Sequence, residues 1–391
     1  MSSVGMEHGM MEGFDLEIVF VTNYYNHHQA ALAECFDVQS EHHFHFIETA
    51  PITDERKNMG WSNAGAPDYV KKAYENDQSR TECQELINRA DVVIWGSCPF
   101  DMIKPRLRAK KLTFCYSERL FKKGFGPVAF GGRAIKYWLK HWRYQKNHYL
   151  LCASAYAAAD YAKIGLFRTR AYKWGYFPER KDNKSVQEII NVKKQESILW
   201  AGRMIGWKHP EVPVLVAKRL KDTGLCFRLD MIGNGEQMSS VNKLKDELGL
   251  QDCVHLHGVK TPDEVRRYME ETDIYLFTSD QNEGWGAVVN EAMSSACAVV
   301  ASDAAGSVQY LVENEKNGLV YCNGNLEALY QNVVLLLENP ERSRLYGRCA
   351  YETMTNEWSA EQAAKRFIEL VQSLVDGKRC DYAQGPCSEA R

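Results

Sequence analysis

Asp273-Ile-Tyr-Leu-Phe-Thr-Ser-Asp-Gln-Asn-Glu283-Gly-Trp-Gly-Ala-Val-Val-Asn-Glu291-Ala-Met293 reads as a strand, a glycine-bearing loop and the first turns of a helix. The run at 273–278 is short, apolar and rich in branched and aromatic side chains, which favours a strand over a helix. Gly284 and Gly286 let the backbone come close to a ligand. A strand–loop–helix unit places its loop at the carboxyl end of a parallel sheet, where open α/β sheets bind ligands and helix N-termini attract anions. A carboxylate accepts two hydroxyl hydrogen bonds at once, so Glu283 and Glu291 together suit a ligand with two polyol units. The plainer reading makes Glu291 part of a solvated helix face and Glu283 an ordinary loop acid, and the pair alone does not decide between them.

The same alternation extends outward in both directions. Short apolar runs fall at 16–22, 43–49, 91–97, 112–117 and 149–154, with helices expected near Asn26 and Ala155. Further runs at 198–201, 226–232, 254–257, 298–302 and 318–321 alternate with helices from about Pro210, Glu236, Pro262, Ser307 and Asn325. Such alternation is the mark of βαβ units and parallel sheets. At 391 residues the chain is too long for one ordinary core. The expected fold class is α/β, with two Rossmann-like, doubly wound parallel-sheet domains facing a cleft.

The charged stretch 178–197 suits a hinge. The expected divisions are a first domain at 1–180, a linker at 181–197 and a second domain at 198–355. A crossover helix at 356–376, opened by a capping box at Ser359-Ala-Glu-Gln362, packs back toward the first domain. The last stretch, 377–391, is expected to be a flexible tail.

Composition narrows the function classes. Apolar residues make up 45% and charged residues 25%, ordinary values for a globular chain. Twelve cysteines are scattered singly, without Cys-x-x-Cys or zinc-ligand spacing, so no metal site is expected and reduced thiols of a cytoplasmic protein are. No apolar run approaches membrane-spanning length, and the first fifteen residues lack a secretory pattern. The formal net charge is only −3, yet 104–146 holds thirteen Lys or Arg against the single acid Glu118. Aromatics interleave with those cations, among them Phe114, Tyr116, Phe121, Phe125, Phe130, Tyr137, Trp138, Trp142 and Tyr144. That combination points to an anionic partner, and to peripheral contact with an anionic membrane as a candidate. A solvated basic face with inward-packed aromatics is the competing reading. No nucleic-acid-binding module is recognisable.

Trp200-Ala-Gly-Arg203-Met-Ile-Gly-Trp-Lys208 follows the first strand of the second half, again at a carboxyl end. Arg203 offers a fork of donors matched to phosphate oxygens, and Lys208 adds a point charge. Together with the glutamates they suit a sugar nucleotide, whose ribose and hexose are the two polyols. Gly202-Arg203 with Lys208, Gly233-Asn-Gly-Glu236, His257-Gly-Val259, and Glu283 with Glu291 occur in that order. In this, 198–369 resembles the donor half of retaining glycosyltransferase family 4.

The resemblance implies a GT-B fold and a metal-independent enzyme that moves a hexose from a nucleotide sugar, a UDP-sugar first, with retention at the anomeric carbon and no cofactor. It implies Arg203 and Lys208 on the diphosphate, Glu283 on the sugar hydroxyls and Glu291 on the ribose. Gly202, Gly258 and Val259 would lie along the nucleotide. Gly284, Trp285, Gly286, Ala287 and Val288 would present N–H groups to the sugar and distal phosphate. In the first half, Thr22-Asn-Tyr-Tyr-Asn26-His27-His28-Gln29 and Tyr116-Ser-Glu118-Arg119 resemble a bacterial capsule and surface-polysaccharide branch, although the first lacks the glycines usual there. His27, His28 and Glu118 become the acceptor-side candidates. Trp95-Gly-Ser-Cys-Pro99 stands where a His or acid is usual, with Asp101 as a further substitute. The implied acceptor is a glycan or lipid-linked glycan, at the inner face of the cell membrane. A nucleotide-sugar epimerase and a non-catalytic sugar-nucleotide-binding subunit are the alternatives.

Overall fold

The computed structural model describes residues 16–53, 65–122, 127–179, 184–378 and 380–391, with the side chains of 127–130 set aside. The segments read above at 1–15 and Phe125 therefore lie outside the described residues, as does the side chain of Phe130. Two parallel sheets form the frame. The first contains β1 (Ile18–Thr22), β2 (Phe44–Glu48), β3 (Val70–Lys72), β4 (Val92–Trp95), β5 (Thr113–Ser117), β6 (His148–Cys152) and β7 (Ala171–Lys173), in the order β3-β2-β1-β4-β5-β6-β7. The second contains β8 (Lys194–Ala201), β9 (Arg228–Ile232), β10 (Val254–Leu256), β11 (Thr272–Phe277), β12 (Ala298–Ser302) and β13 (Gly318–Tyr321), in the order β10-β9-β8-β11-β12-β13.

The central strands β1, β4, β11 and β12 are buried along their whole length. Parallel sheets covered on both faces demand this, which is why these strands are continuous apolar runs in the sequence. Both sheets are doubly wound. Strand order reverses between β1 and β4 in the first and between β8 and β11 in the second, and each reversal opens a crevice at the carboxyl ends. β3 and β7 were not expected from the sequence. Each is three residues long, partly exposed and lacking an apolar run.

The helix Pro340–Asn356 was not anticipated either. Its buried face includes Ser343, Gly347 and Ala350, small side chains that let it pack closely beneath β12. They give little apolar periodicity to read. The stretch expected as linker carries structure from Ser185 onward. A helix at Val186–Val192 is held by a reciprocal Ser185–Glu188 capping box, and β8 begins at Lys194.

The last helix, Ala360–Val375, crosses back to the first domain as anticipated. Ser359 caps it by accepting from the Gln362 N–H. It buries Ala363, Ala364, Phe367, Ile368, Leu370 and Val371 on one face. The Phe367 ring lies 4.9 Å from Phe114 and 5.4 Å from Phe36, so second-domain chain completes the first domain's core.

The tail expected to be flexible is instead docked. Lys173 N–H donates to Ser388 O, Cys387 N–H to Lys173 O, and Ala390 N–H to Ala171 O, making an antiparallel edge along β7. Cys387, Ser388 and Ala390 are buried. Unpaired backbone groups on a sheet edge recruit a partner whatever its side chains, so a polar tail gives no warning of it. All twelve cysteines are unpaired, six of them buried. Among the described residues no helix is long and apolar enough to cross a membrane.

Candidate active site in the cleft

The second sheet's crevice gathers Arg203, Lys208 and Glu283. Beyond β8 the chain turns through Gly202 and Arg203 into a short 3-10 turn at Gly206–Lys208. Gly202 N–H donates to Ile232 O, Gly233 N–H to Gly258 O, and Met204 N–H to Asn234 O, locking three adjacent loops together. The Trp200 indole donates to Thr278 Oγ1 at 2.9 Å, and Thr278 Oγ1 donates to Lys208 O at 2.6 Å. Asp280 N–H donates to Trp207 O. These ties fasten the Lys208 turn to the loop after β11.

Lys208 Nζ consequently stands 2.6 Å from Glu283 Oε2, and Ser279 Oγ donates to the same oxygen at 3.2 Å. Burial opposes the Glu283 charge. The Lys208 ammonium and the hydrogen bonds from Lys208 and Ser279 outweigh it and hold the pKa below the ordinary carboxylate value. Glu291 goes the other way. Burial raises its pKa against the weaker pull of Arg266 and Lys208. Lys208 thus acts on both carboxylates, one kept charged and the other reluctant to ionise. Arg203 is exposed at the mouth of this crevice, its guanidinium 5.6 Å from the Trp207 ring.

Gly286 precedes the helix Ala287–Ser294 with φ of 91°, a conformation costly for any other residue, and an added Cβ there would meet Phe277 at 2.8 Å. No side chain caps this helix, so its first turn, with Ala287 and Val288, offers amides to an anion. The resemblance gave Trp285 a backbone role, and its side chain serves the packing instead. Its ring is buried, and Nε1 donates to Asn290 Oδ1 at 2.8 Å while Asn290 Nδ2 donates to Tyr176 O at 3.0 Å. Only its backbone is left to serve a ligand. Val259 is 71% exposed.

The first sheet's crevice is a cavity of about 640 Å³. It opens between the ends of β1 and β4 and is lined by Thr22, Asn26, His28, Trp95, Gly96 and Glu118, among others. Of the acceptor-side candidates, His28 and Glu118 line it, whereas His27 is exposed and lies outside the lining. Tyr176 Oη donates to Glu118 Oε1 at 3.0 Å and Lys122 pairs with Oε2. Any side chain at Gly284 would overlap the Glu118 carboxylate, so Glu118 is where the two crevices meet. Asp101 points elsewhere, paired with Arg80 at 2.6 Å.

The basic segment divides instead of forming one surface. Arg106 is buried, donating to Ile87 O, Ala90 O, Asp91 O, Leu112 O and Thr113 Oγ1, and is purely structural. Arg119, Lys122, Arg133 and Lys140 line the cavity. Lys136, Arg143 and Lys146 are exposed. The helix Pro127–His141 is two-faced: Arg133, Tyr137, Lys140 and His141 face the cavity, while Ile135, Trp138 and Leu139 are 61%, 41% and 57% exposed. Sequence reasoning missed the cavity face, although its i, i+4, i+7, i+8 spacing was there to find.

With this geometry the chain can be set beside known proteins. Residues 181–353 match the family described as glycosyl transferases group 1. The chain is 29% identical over 187 residues to the amylovoran biosynthesis glycosyltransferase AmsK of Erwinia amylovora, covering 46% of this chain and 45% of AmsK. It is 25% identical over 184 residues to the putative colanic acid biosynthesis glycosyltransferase WcaL of Escherichia coli, covering 45% of each. The chain thus spans about half the length of the curated relatives it matches. Among solved structures, HepE of Anabaena in complex with UDP and glucose has a TM-score of 0.65 at 12% identity, covering 92% of this chain and 100% of HepE. The lipopolysaccharide outer core galactosyltransferase WaaB in its apo form has a TM-score of 0.64 at 15% identity, covering 91% and 99%. The architecture is GT-B, with the matched residues 181–353 forming most of the second domain.

Proposed function

We propose that this protein is a retaining glycosyltransferase that moves a hexose from a nucleotide sugar, a UDP-sugar first, to a glycan or lipid-linked glycan acceptor of a bacterial surface polysaccharide. The observation that carries this is Lys208 paired with Glu283 in the loop that leads into the uncapped start of the helix Ala287–Ser294, which carries Glu291. A diphosphate there meets helix amides, Arg203 and Lys208. The bond between the anomeric carbon and the distal phosphate oxygen breaks, with its electron pair leaving on the diphosphate. The acceptor hydroxyl oxygen bonds to that carbon on the same face, and the departing phosphate oxygen takes its proton. Preorganised cations stabilise the charge that develops on the leaving group, the part a divalent metal plays in other transferases. Glu283 orients the sugar hydroxyls and Glu291 the ribose.

Relatives named for amylovoran and colanic acid biosynthesis support the polysaccharide reading, and the complex of HepE with UDP and glucose supports the donor class. These relatives lend no support to an epimerase or a binding-only subunit. Thermal shift against UDP-, GDP- and ADP-sugars tests the donor, and proton NMR of the product tests the stereochemistry. An inverted anomer would overturn the retaining mechanism.

Peripheral membrane contact at the cytoplasmic face belongs to the same proposal. Ile135, Trp138, Leu139 and Trp142 recur at i, i+3, i+4 and i+7, and the Trp138 and Trp142 rings stack at 4.8 Å. Exposed Lys136, Arg143 and Lys146 beside them complement anionic headgroups.

A further inference from the structure

Resting on the reading of the first crevice as the acceptor half, we infer that its cavity seats a dianionic phosphoryl group carried by the acceptor. Four cations, Arg119, Lys122, Arg133 and Lys140, line a space of about 640 Å³ in which Glu118 is the only carboxylate among the described residues. Lys122 is neutralised by Glu118, and Arg119 Nε faces the buried Asp160 behind the cavity at 3.6 Å. The other two have no carboxylate among the described residues. Arg133 spends one N–H on Leu120 O at 2.9 Å, leaving the rest of its fork for a ligand. Lys140 lies over the Trp95 ring at 4.4 Å, an aromatic shelf that holds an ammonium without neutralising it.

Two positive charges without a carboxylate partner lining one concave, partly desolvated site fit a group of charge −2. A single carboxylate would leave one of them unmatched, and guanidinium forks suit phosphate oxygens. The floor beneath them holds buried polar atoms that reach no solvent. Trp95 and His141 line the cavity at 1% exposure each, and neither the Trp95 indole N–H nor either His141 ring nitrogen has a hydrogen-bond partner. Buried donors in native proteins are rarely left so. Burial, His148 and Lys140 depress the His141 pKa well below its ordinary value, so the ring contributes a neutral donor or acceptor.

Glu118 and Lys122 of the cavity abut Gly284 in the loop that carries Glu283, so the cavity adjoins the crevice of Lys208, and saturation with UDP is what separates a phosphoryl group seated there from the donor diphosphate. Either a soluble sugar phosphate or a lipid-borne diphosphate supplies this chemistry. Lining the same helix as the exposed Trp138 face, the site suits the second equally on charge grounds.

The test saturates the intact protein with UDP and then titrates phenyl phosphate by calorimetry. We expect one further site whose affinity falls steeply with added salt, and at least a tenfold loss in the double variant Arg133→Gln, Lys140→Gln. UDP affinity should be unchanged, and Arg108→Gln, an exposed cation outside the cavity, should bind like the wild type. A repeat with farnesyl diphosphate in neutral micelles identifies the source: tighter binding than phenyl phosphate marks a lipid-borne group, equal binding a soluble one. If the UDP-saturated wild type shows no phosphate site, or one insensitive to salt and to the double variant, the inference is overturned while the donor reading stands. The salt titration needs no variant, so a misfolded double variant does not rescue the idea. Failure of UDP itself to bind would instead strike the proposed function.

Discussion

Lys208 Nζ lies 2.6 Å from Glu283 Oε2 across 75 residues of chain, at the carboxyl ends of the neighbouring strands β8 and β11. The pair ties the two loops together, and under the proposed function a donor diphosphate would share or displace the ammonium. Replacing Lys208 or Arg203 by Ala is therefore expected to lower kcat by about a hundredfold or more, the effect of removing one charge-stabilising donor at a developing anion. Steady-state kinetics with the best donor from the thermal-shift panel measures it. An unchanged kcat in both variants would remove these cations from the mechanism.

Glu291 makes an opposite demand on stability and function. Burial raises its folded pKa, so its contribution is fully present below the unfolded carboxyl pKa and is lost as pH rises through the folded one. Glu291→Gln should raise Tm at pH 7, with the difference shrinking toward about pH 4, where the carboxyl is protonated in both states. The same change should weaken UDP binding by removing an acceptor for the ribose hydroxyls. Differential scanning fluorimetry at both pH values checks the first, and a lowered Tm at pH 7 would contradict it.

Glu283 supplies the contrasting control. Its folded pKa is depressed, so the stability it contributes is present at neutral pH and lost as pH falls through that folded value. Glu283→Gln should lower Tm at pH 7 by unpairing Lys208 and should abolish transfer.

The outward face of the helix Pro127–His141 makes a prediction separable from chemistry. Trp138→Ser with Leu139→Ser should reduce flotation with vesicles containing anionic lipid, and leave UDP binding intact. Each nearby cation adds about 1 kcal/mol at an anionic surface, so high salt should weaken flotation of the wild type as well. Equal flotation with neutral and anionic vesicles would remove the membrane contact.

Deleting residues 383–391 should destabilise the first domain although these residues follow the second. The truncation uncovers the β7 edge and removes the buried Cys387 and Ala390. A loss of about 2 kcal/mol corresponds to roughly 5 °C in Tm for a domain of this size. An unchanged melting curve would return the tail to a passive role.

The sequence by itself determined the doubly wound frame and the donor loops. Strands buried on both faces must be continuous apolar runs, so β1, β4, β11 and β12 announce themselves, and the residues just after them must lie at the ligand-binding edge. Arg203, Lys208, Glu283 and Glu291 could be assigned to one crevice for that reason. Only the tertiary structure decided how their charges differ, because the depressed pKa of Glu283 depends on where Lys208 is held and the raised pKa of Glu291 on its burial. It also decided the fate of the basic segment, whose charges are identical in sequence but end in a buried carbonyl cage at Arg106, a cavity wall at Arg133 and Lys140, and open solvent at Lys136. The docked tail and the buried ring of Trp285 were hidden likewise. A side chain's type is local, whereas its partners are set by strands and helices distant along the chain.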